Sequence, residues 1–243
     1  MNRLKDEERA AILSMLCEGV SINAAAGITG VSKVTILKII MDVGETCEQI
    51  MADKMQGLEL QHVEVDEIWT FVHTKENSLD EFDDPEFGDK YVFVGIDSRT
   101  KLIPVFELGN RDQATATLFM TRLRRAVSSR IQLSTDAFNV YPPAIRAAFN
   151  GDADHGSISK TYYGRKFYKG RQWYVPSKLR MMSKKSVSGN PDPKQISTSF
   201  VERQNLTLRM RQRRFTRLTN AHSKTLKHLT RRLWPFTTWL TIF

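Results

Sequence analysis

The spacing of apolar residues changes once along this chain, from a helical repeat in the first 43 residues to strand-like runs from residue 62 onward. Leu13, Leu16 and Cys17 follow a spacing of three to four residues, which buries one face of a helix. Residues 62–73 are dense in Val, Ile, Trp and Phe, as expected for a strand. An α-helical unit is therefore predicted to precede a unit that contains a sheet. The predicted division is 1–43 for the helical unit, 44–61 for a helical connector and 62–229 for the sheet-containing unit.

The first 43 residues are predicted to form three short helices separated by turns. Ser21 and Ser32 are residue types that cap helices, and the segment from Gly27 to Gly30 supplies the turn between the second and third helices. This order is typical of a helix-turn-helix, whose last helix enters the major groove of DNA. A plain three-helix cap or a dimerisation element is the alternative. The residues predicted to meet the base edges are Ser32, Lys33, Thr35 and Lys38.

From residue 62 the pattern predicts a mixed α/β unit with the element order βββαβαβα. The predicted strands are 62–73, 90–96, 102–107, 131–135 and 157–163, and the predicted helices are 112–128, 142–149 and 197–218. Residues 76–89 are predicted to form a solvated acidic loop, and residues 164–194 a long irregular basic stretch. Within and beside that stretch, five aromatic residues lie among basic ones and are candidates either to stack on bases or to pack in the core. They are Tyr162, Tyr163, Tyr168, Trp173 and Tyr174, among Arg165, Lys166, Lys169 and Arg171.

Three carboxylates lie on elements that are predicted to be buried, where an unpaired charge costs several kcal/mol. Asp66 lies within the first strand, Asp136 ends the fourth, and Glu202 lies one turn into the last helix. Singly, each has an ordinary explanation, such as an edge charge, a strand-end cap or an acid favoured by the helix dipole. Jointly, the order βββαβαβα brings their three elements to one edge of a sheet. Glu67 is expected to face the other side of its strand and is excluded from the site.

Two other acidic positions have simpler explanations. Asp97 follows a strand and is predicted to form an Asx-turn. Asp152, Asp154 and His155 resemble a metal-binding cluster, but a solvated loop is the preferred interpretation, because no second set of ligands accompanies them.

The segments around the three carboxylates resemble the motifs of DDE transposases of the insertion-sequence-one family. The matching segments are Val65-Asp66-Glu67-Ile68-Trp69, Ser134-Thr135-Asp136-Ala137-Phe138 and Ser199-Phe200-Val201-Glu202-Arg203-Gln204-Asn205, with support from Gly95-Ile96-Asp97-Ser98-Arg99. The likeness runs from about residue 8 to residue 229. The cysteine zinc finger that many members carry is not found in this sequence, and residues 230–243 depart from the family pattern, so they are predicted to form an atypical tail.

The resemblance implies a ribonuclease-H-like mixed sheet preceded by an all-α helix-turn-helix domain. It also implies that Asp66, Asp136 and Glu202 are the catalytic residues and hold two Mg²⁺ or Mn²⁺ ions. The implied activity is that of a DNA transposase, which binds the ends of an insertion element and performs strand cleavage and strand transfer by phosphodiester hydrolysis and transesterification. A ribonuclease-H-fold nuclease that does not join DNA, and a decayed DNA-binding remnant, are the alternatives.

The charge of the chain indicates a polyanionic partner. The formal net charge is +9 and the sequence pI is about 9.6, and Lys or Arg side chains that neutralise phosphates release counterions. A merely solvated cationic face is the alternative. The arginines predicted to contact DNA are Arg203, Arg209, Arg211, Arg213 and Arg214.

The expected partners are the terminal inverted repeats, target DNA and further copies of the chain bound to DNA. No apolar run reaches the roughly 20 residues of a membrane-spanning helix. We therefore expect no membrane partner and a cytoplasmic location, at the nucleoid through bound DNA. Cys17 and Cys47 lie far apart and are expected to be buried thiols.

Overall fold

The computed structural model describes residues 4–163, 167–168, 171–172 and 178–242. The helices are α1 (Asp6–Cys17), α2 (Ile22–Thr29), α3 (Lys33–Lys54), α4 (Gln113–Ala126), α5 (Tyr141–Phe149), α6 (Ser199–Arg211) and α7 (Leu226–Ile242), with 3-10 turns at Glu76–Ser78 and Arg213–Phe215. The strands are β1 (His62–Val72), β2 (Gly88–Asp97), β3 (Val105–Gly109), β4 (Ile131–Asp136), β5 (Ala153–Tyr162), β6 (Phe167–Tyr168), β7 (Arg171–Gln172) and β8 (Leu179–Ser188).

The predicted caps of the first helices are confirmed. The Ser21 hydroxyl accepts a hydrogen bond from the backbone N–H of Ala24 at 3.1 Å, and the Ser32 hydroxyl accepts one from Thr35 at 3.2 Å. The second helix was predicted to end at Ala26, but α2 continues to Thr29 and stops at Gly30, whose φ of 71° is left-handed. The glycine conformation, not the start of the glycine-containing segment, therefore ends the helix.

Helix α3 is longer than predicted and crosses the expected boundary between units. It runs for 22 residues and buries Ile36, Ile40 and Met51 along one side. At Gly44 it packs so closely on α7 that a Cβ would collide with the backbone of Arg231. The predicted boundaries after residues 43 and 229 both fall inside continuous helices, α3 and α7, and residues 230–242 of the predicted tail are part of α7.

Six strands form one mixed sheet in the order β3-β2-β1-β4-β5-β8. Strands β1, β2 and β3 are antiparallel neighbours, whereas β4 is parallel to β1 and β5 is parallel to β4. The predicted order of three strands, helix, strand, helix, strand and helix is therefore confirmed, with three strands added between the fifth strand and the last helix. All three lie in the stretch predicted to be irregular; β6 and β7 pair with each other, and β8 pairs antiparallel with β5. Its residues are almost all exposed, so its sequence lacks the alternation that marks a half-buried strand.

The last helix was predicted to extend from residue 197 to residue 218, but α6 ends at Arg211. Gln212 is extended, and the 3-10 turn that follows buries Phe215 to 1% exposure. The hydroxyl of Thr70 on β1 donates to the carbonyl of Arg214 at 3.1 Å and anchors this turn to the sheet. Burial of Phe215 against the sheet thus overrides the helical pattern of the segment.

The sheet is covered on both faces. Val63 and Val65 of β1 pack with α4 and α5 on one face, and Ile68 and Val72 pack with α6 and α7 on the other. The first three helices have their own core around Ile12 and Ile36, and Cys17 joins them to the α6–α7 layer. Cys17 and Cys47 are both buried, as predicted.

The described helices were compared with the length and apolar composition that a membrane-spanning helix needs. No single helix there is long and apolar enough to cross a bilayer, and only the bent pair α2 and α3, at 114°, reaches that length and composition jointly.

Candidate active site

The register between β1 and β4 brings Asp66 and Asp136 to the same level of the sheet. The parallel pairing joins His62 to Gln132, Val63 to Leu133 and Glu64 to Ser134. Continued along both strands, this offset sets residue 66 beside residue 136, and side chains at one level of neighbouring parallel strands share a face. The two carboxylates therefore meet where β4 ends.

Asp66 is held from α6. Its carboxylate accepts a hydrogen bond from the side-chain amide of Asn205 at 2.9 Å. The pKa of Asp66 is raised from 3.8 to about 6, mainly by burial and also by the charges of Asp136 and Glu202, which together outweigh the hydrogen bonds that the carboxylate accepts. A group whose negative charge is this costly is suited to a positive ligand.

Glu67 takes part in the same acidic group, although sequence reasoning excluded it. It lies on the other face of β1, where Tyr141 of α5 donates a hydrogen bond to it and Arg111 forms an ion pair with it at 3.3 Å. Yet one oxygen each of Asp66, Glu67 and Asp136 lie within 4.8 Å of one another. Strand β4 ends at Asp136, so beyond that residue it no longer lies beside β1. Carboxylates from the two faces of β1 can therefore approach each other around the end of β4. The pKa of Glu67 is raised from 4.5 to about 7, mainly by burial and also by the charges of Asp136 and Asp66, against the lowering effects of Tyr141 and Arg111.

Glu202 faces the site from α6, but its carboxylate is already paired with a lysine side chain. Lys160 of β5 forms an ion pair with it, and the Thr198 hydroxyl donates a hydrogen bond to it at 2.6 Å. Glu202 and Asp136 line the same open cavity of about 380 Å³, together with Arg111 and Lys160. Asp136 therefore links two groups: its carboxylate lies in the tight group of oxygens with Asp66, and it lines this cavity with Glu202, which stands outside that group.

The first turn of α6 is fixed by a buried acid that sequence reasoning did not single out. Glu64 of β1 is 2% exposed and accepts hydrogen bonds from the backbone N–H groups of Phe200 and Val201, at 2.7 and 3.1 Å. A carboxylate at a helix N-terminus satisfies N–H groups that have no partner within the helix. Glu64 therefore sets the position of the turn that carries Glu202.

The donor set fits a hard divalent cation. All the groups that meet at the end of β4 offer carboxylate oxygens, the ligands that Mg²⁺ and Mn²⁺ prefer. The like charges of Asp66 and Asp136 repel each other, and a cation would remove that repulsion. Asn205 has a sequence signal, since it lies three residues after Glu202 and shares its helix face. Lys160 and Arg111 have no comparable signal.

The other acidic positions behave differently from one another. Asp97 is fully buried and accepts hydrogen bonds from both the N–H and the hydroxyl of Thr100. Its side chain thus holds a turn, as predicted, but it bonds three residues on and not two as in an Asx-turn. The solvated-loop interpretation of 152–155 is wrong. Asp152 forms an ion pair with Arg124, and Asp154 forms one with Arg130 at the start of β5.

His155 makes the stability of the fold depend on pH. It is 1% exposed on β5, its Nε2 lies 3.0 Å from the Thr135 hydroxyl, and burial lowers its pKa to about 4 from 6.5. The unfolded chain takes up this proton below about pH 6.5, whereas the folded chain resists it down to about pH 4. The free energy of unfolding should therefore fall by about 3 kcal/mol over that interval.

Denaturant titrations at a series of pH values measure this loss. His155→Leu should flatten the profile between pH 6.5 and about 4, and His228→Gln, at an exposed site, should leave it unchanged. An equal slope in His155→Leu and the unmodified protein would contradict the assignment.

The residues predicted to contact DNA are in four situations. Ser32, Lys33 and Lys38 are exposed at the start of α3, and Thr35 is half-buried with its hydroxyl 2.9 Å from that of Ser32. Arg203, Arg209 and Arg213 are exposed. Arg211 forms an ion pair with Glu18. Arg214 is only 8% exposed and donates to the Ser223 hydroxyl.

Most of the aromatic and basic residues that were candidates for base stacking lie outside the residues whose side chains are described. These are Tyr168, Trp173, Tyr174, Arg165, Lys166, Lys169 and Arg171. Tyr162 and Tyr163 are exposed, by 48% and 61%.

Comparisons with solved structures give remote likenesses. No protein-family model and no curated protein matches the chain. Two similar solved structures are a Mos1 transposase paired-end complex with left transposon end (16% identity, TM-score 0.27) and the Mos1 strand transfer complex (16% identity, TM-score 0.26). Each alignment covers 62% of this chain and 58% or 57% of the other, less than two thirds of the length of the Mos1 chain. A likeness of this size establishes neither fold nor family.

Proposed function

We propose that this chain is a DDE-type DNA transposase of the insertion-sequence-one family, built on a ribonuclease-H-like sheet. The observation that carries the proposal is the meeting of Asp66 and Asp136 at the end of β4, with Glu202 beside the same cavity as Asp136. Asp66 and Asp136 come from neighbouring parallel strands, and Glu202 lies on α6. Three acids are costly to gather at one point unless a cation neutralises them.

In the proposed site Asp66, Asp136 and Glu202 hold Mg²⁺ or Mn²⁺, and Glu67 lies within reach of the same ions. When bound, two such ions activate the attacking oxygen and stabilise the leaving oxygen of a phosphodiester. Attack by water breaks one strand and leaves a 3′-hydroxyl, and attack by that hydroxyl on another phosphodiester joins the strands. Asn205 orients Asp66, and Lys160 holds Glu202 through an ion pair.

Metal-dependent cleavage tests the proposal. Linear duplex DNA that carries the sequence flanking the gene, labelled at one 5′ end, is incubated with the full chain and Mg²⁺. Cleavage that disappears with a chelator supports the site. The absence of any cleavage with Mg²⁺ or Mn²⁺ would favour the decayed, DNA-binding remnant.

The N-terminal helices are proposed to read the element ends through the exposed start of α3. On this proposal Lys33→Ala weakens binding to the element end by about 5- to 100-fold, as expected for loss of a base contact worth 1–3 kcal/mol. Binding to random duplex should weaken far less, because base contacts specify and phosphate contacts only position. Gel-shift titrations on both DNAs measure the difference.

Lys54→Gln is the matched control, since Lys54 is an exposed lysine at the far end of the same helix. An equal loss on both DNAs would reduce Lys33 to a phosphate contact. Terminal inverted repeats, target DNA and assembly of several copies on DNA complete the proposed set of partners, with the nucleoid in the cytoplasm as the proposed location.

A further inference from the structure

A groove of about 850 Å³ lies between the N-terminal helices and the segment that follows α6. It is bordered by the start of α2, by residues 211–222 and by Arg232 of α7. Its polar donors include Asn23 and Asn220. The groove joins the proposed DNA-reading unit to the helix that carries Glu202.

The groove is strongly basic. Four of its lining residues are arginines, and no Asp or Glu lines it among the described residues. Arg213 is exposed, and Arg211 shares its charge with Glu18. Arg214 and Arg232 form no ion pair with a carboxylate in the part of the chain that the structure describes.

The charges of Arg214 and Arg232 are costly where they lie. Arg214 is 8% exposed, and Arg232 is partly buried with Leu13, Cys17 and Ile40 beside it. Burial lowers the pKa of both guanidinium groups, and their mutual repulsion lowers that of Arg214 further. Buried cations without a counter-charge destabilise a fold unless an anion is bound. The groove therefore offers positive charge that a bound anion would neutralise.

We infer that this groove binds backbone phosphates of duplex DNA, an inference that rests on the proposed function. The bound DNA runs from the start of α3 to the cavity that Asp136 and Glu202 line. Arginine suits this role because its planar fork donates two hydrogen bonds to one phosphate. Arg211 lies about 14 Å along α6 from Glu202 at 1.5 Å per residue. That length corresponds to about four base-pair steps of 3.4 Å. DNA held here is therefore close enough to reach the cleft.

The test separates this binding role from a structural one, because the two predict opposite changes in stability. Arg232→Met keeps the apolar stem among its neighbours and removes the charge. It should raise the Tm of the free protein, weaken binding to a random duplex several-fold at low salt, and lower the slope of log K against log salt by about 1. Arg213→Gln, at an exposed site, should weaken binding similarly without changing Tm.

Arg146→Met is the matched control, since Arg146 is exposed on α5, on the opposite face of the sheet. Fluorescence anisotropy with a labelled random duplex, without divalent metal and over a series of NaCl concentrations, gives affinity and slope. Wild-type affinity and slope in both Arg232→Met and Arg213→Gln would overturn the inference, as would a lowered Tm in Arg232→Met with unchanged binding. If those variants bind normally while the unmodified protein still cleaves DNA, the groove inference alone fails. If the unmodified protein neither binds nor cleaves DNA, the proposed function fails.

Discussion

Asp66→Asn, Asp136→Asn and Glu202→Gln are each expected to lower DNA cleavage and joining by at least about 10³-fold. Each change keeps the shape of the side chain and removes the charge that holds the cation, whose stabilisation of the transition state is worth several kcal/mol. Affinity for the element end should stay within about twofold, since the proposed reading residues lie at the start of α3 and the phosphate groove lies at the far end of α6. Glu81→Gln, at an exposed site in the acidic loop, is the control.

The thermal stability of the same variants tests whether the loss of cleavage comes from the chemistry of the site and not from unfolding. Without metal, Asp66→Asn should raise Tm near pH 7, because the pKa of Asp66 lies at about 6, above its ordinary 3.8, and its buried charge opposes folding. This gain should vanish below about pH 4, where the acid is neutral in both the folded and unfolded states. Mg²⁺ should stabilise the unmodified protein more than the variant. A variant that still cleaves at the wild-type rate has lost no metal ligand, and its residue would leave the proposed site.

Glu64→Leu is expected to be the most damaging change outside the acidic group. The buried carboxylate of Glu64 accepts hydrogen bonds from two backbone N–H groups at the start of α6. Its removal leaves both groups buried without a partner, at a cost of about 2–4 kcal/mol in the free energy of unfolding. Cleavage should fall as well, because the turn that carries Glu202 loses its anchor to β1.

Glu64→Gln separates anchoring from mere folding, since one amide oxygen can still accept from these groups. It should recover most of the stability and most of the cleavage, as measured by urea denaturation and by nicking of labelled DNA. Glu59→Gln, at an exposed site just before β1, is the control. Loss of cleavage in Glu64→Gln at unchanged stability would contradict a positioning role and would point to direct participation.

The order of elements follows from the sequence because buried strands and amphipathic helices leave periodic patterns. That holds for β1 to β5 and for α4 and α5. It fails for β8, which is exposed along its length and lacks a pattern, and for the end of α6, where burial of Phe215 overrides helical spacing. Both are consequences of tertiary packing, which a local pattern does not contain.

The candidate site, like the fold, could be predicted from the sequence only in part. Asp66 and Asp136 could be paired in advance because the predicted order βββαβαβα brings the first and fourth strands together in the sheet. The approach of Glu67 to these two carboxylates could not be predicted, because it depends on β4 ending at Asp136, before the position that would lie beside Glu67. The ion pair between Lys160 and Glu202 joins residues of separate elements and leaves no trace in the spacing of either. The burial of Arg214 likewise has no signal within a run of arginines.

Strand transfer is the most direct test of the central claim, that this acidic site cleaves and joins DNA. A labelled duplex that ends at the proposed 3′-hydroxyl of the element is mixed with plasmid target, Mg²⁺ and the full chain, beside Asp66→Asn. We expect label covalently attached to the plasmid in a metal-dependent reaction that Asp66→Asn abolishes. Hydrolysed products without any joined DNA would identify a nuclease instead, and joining that persists in Asp66→Asn would contradict the account.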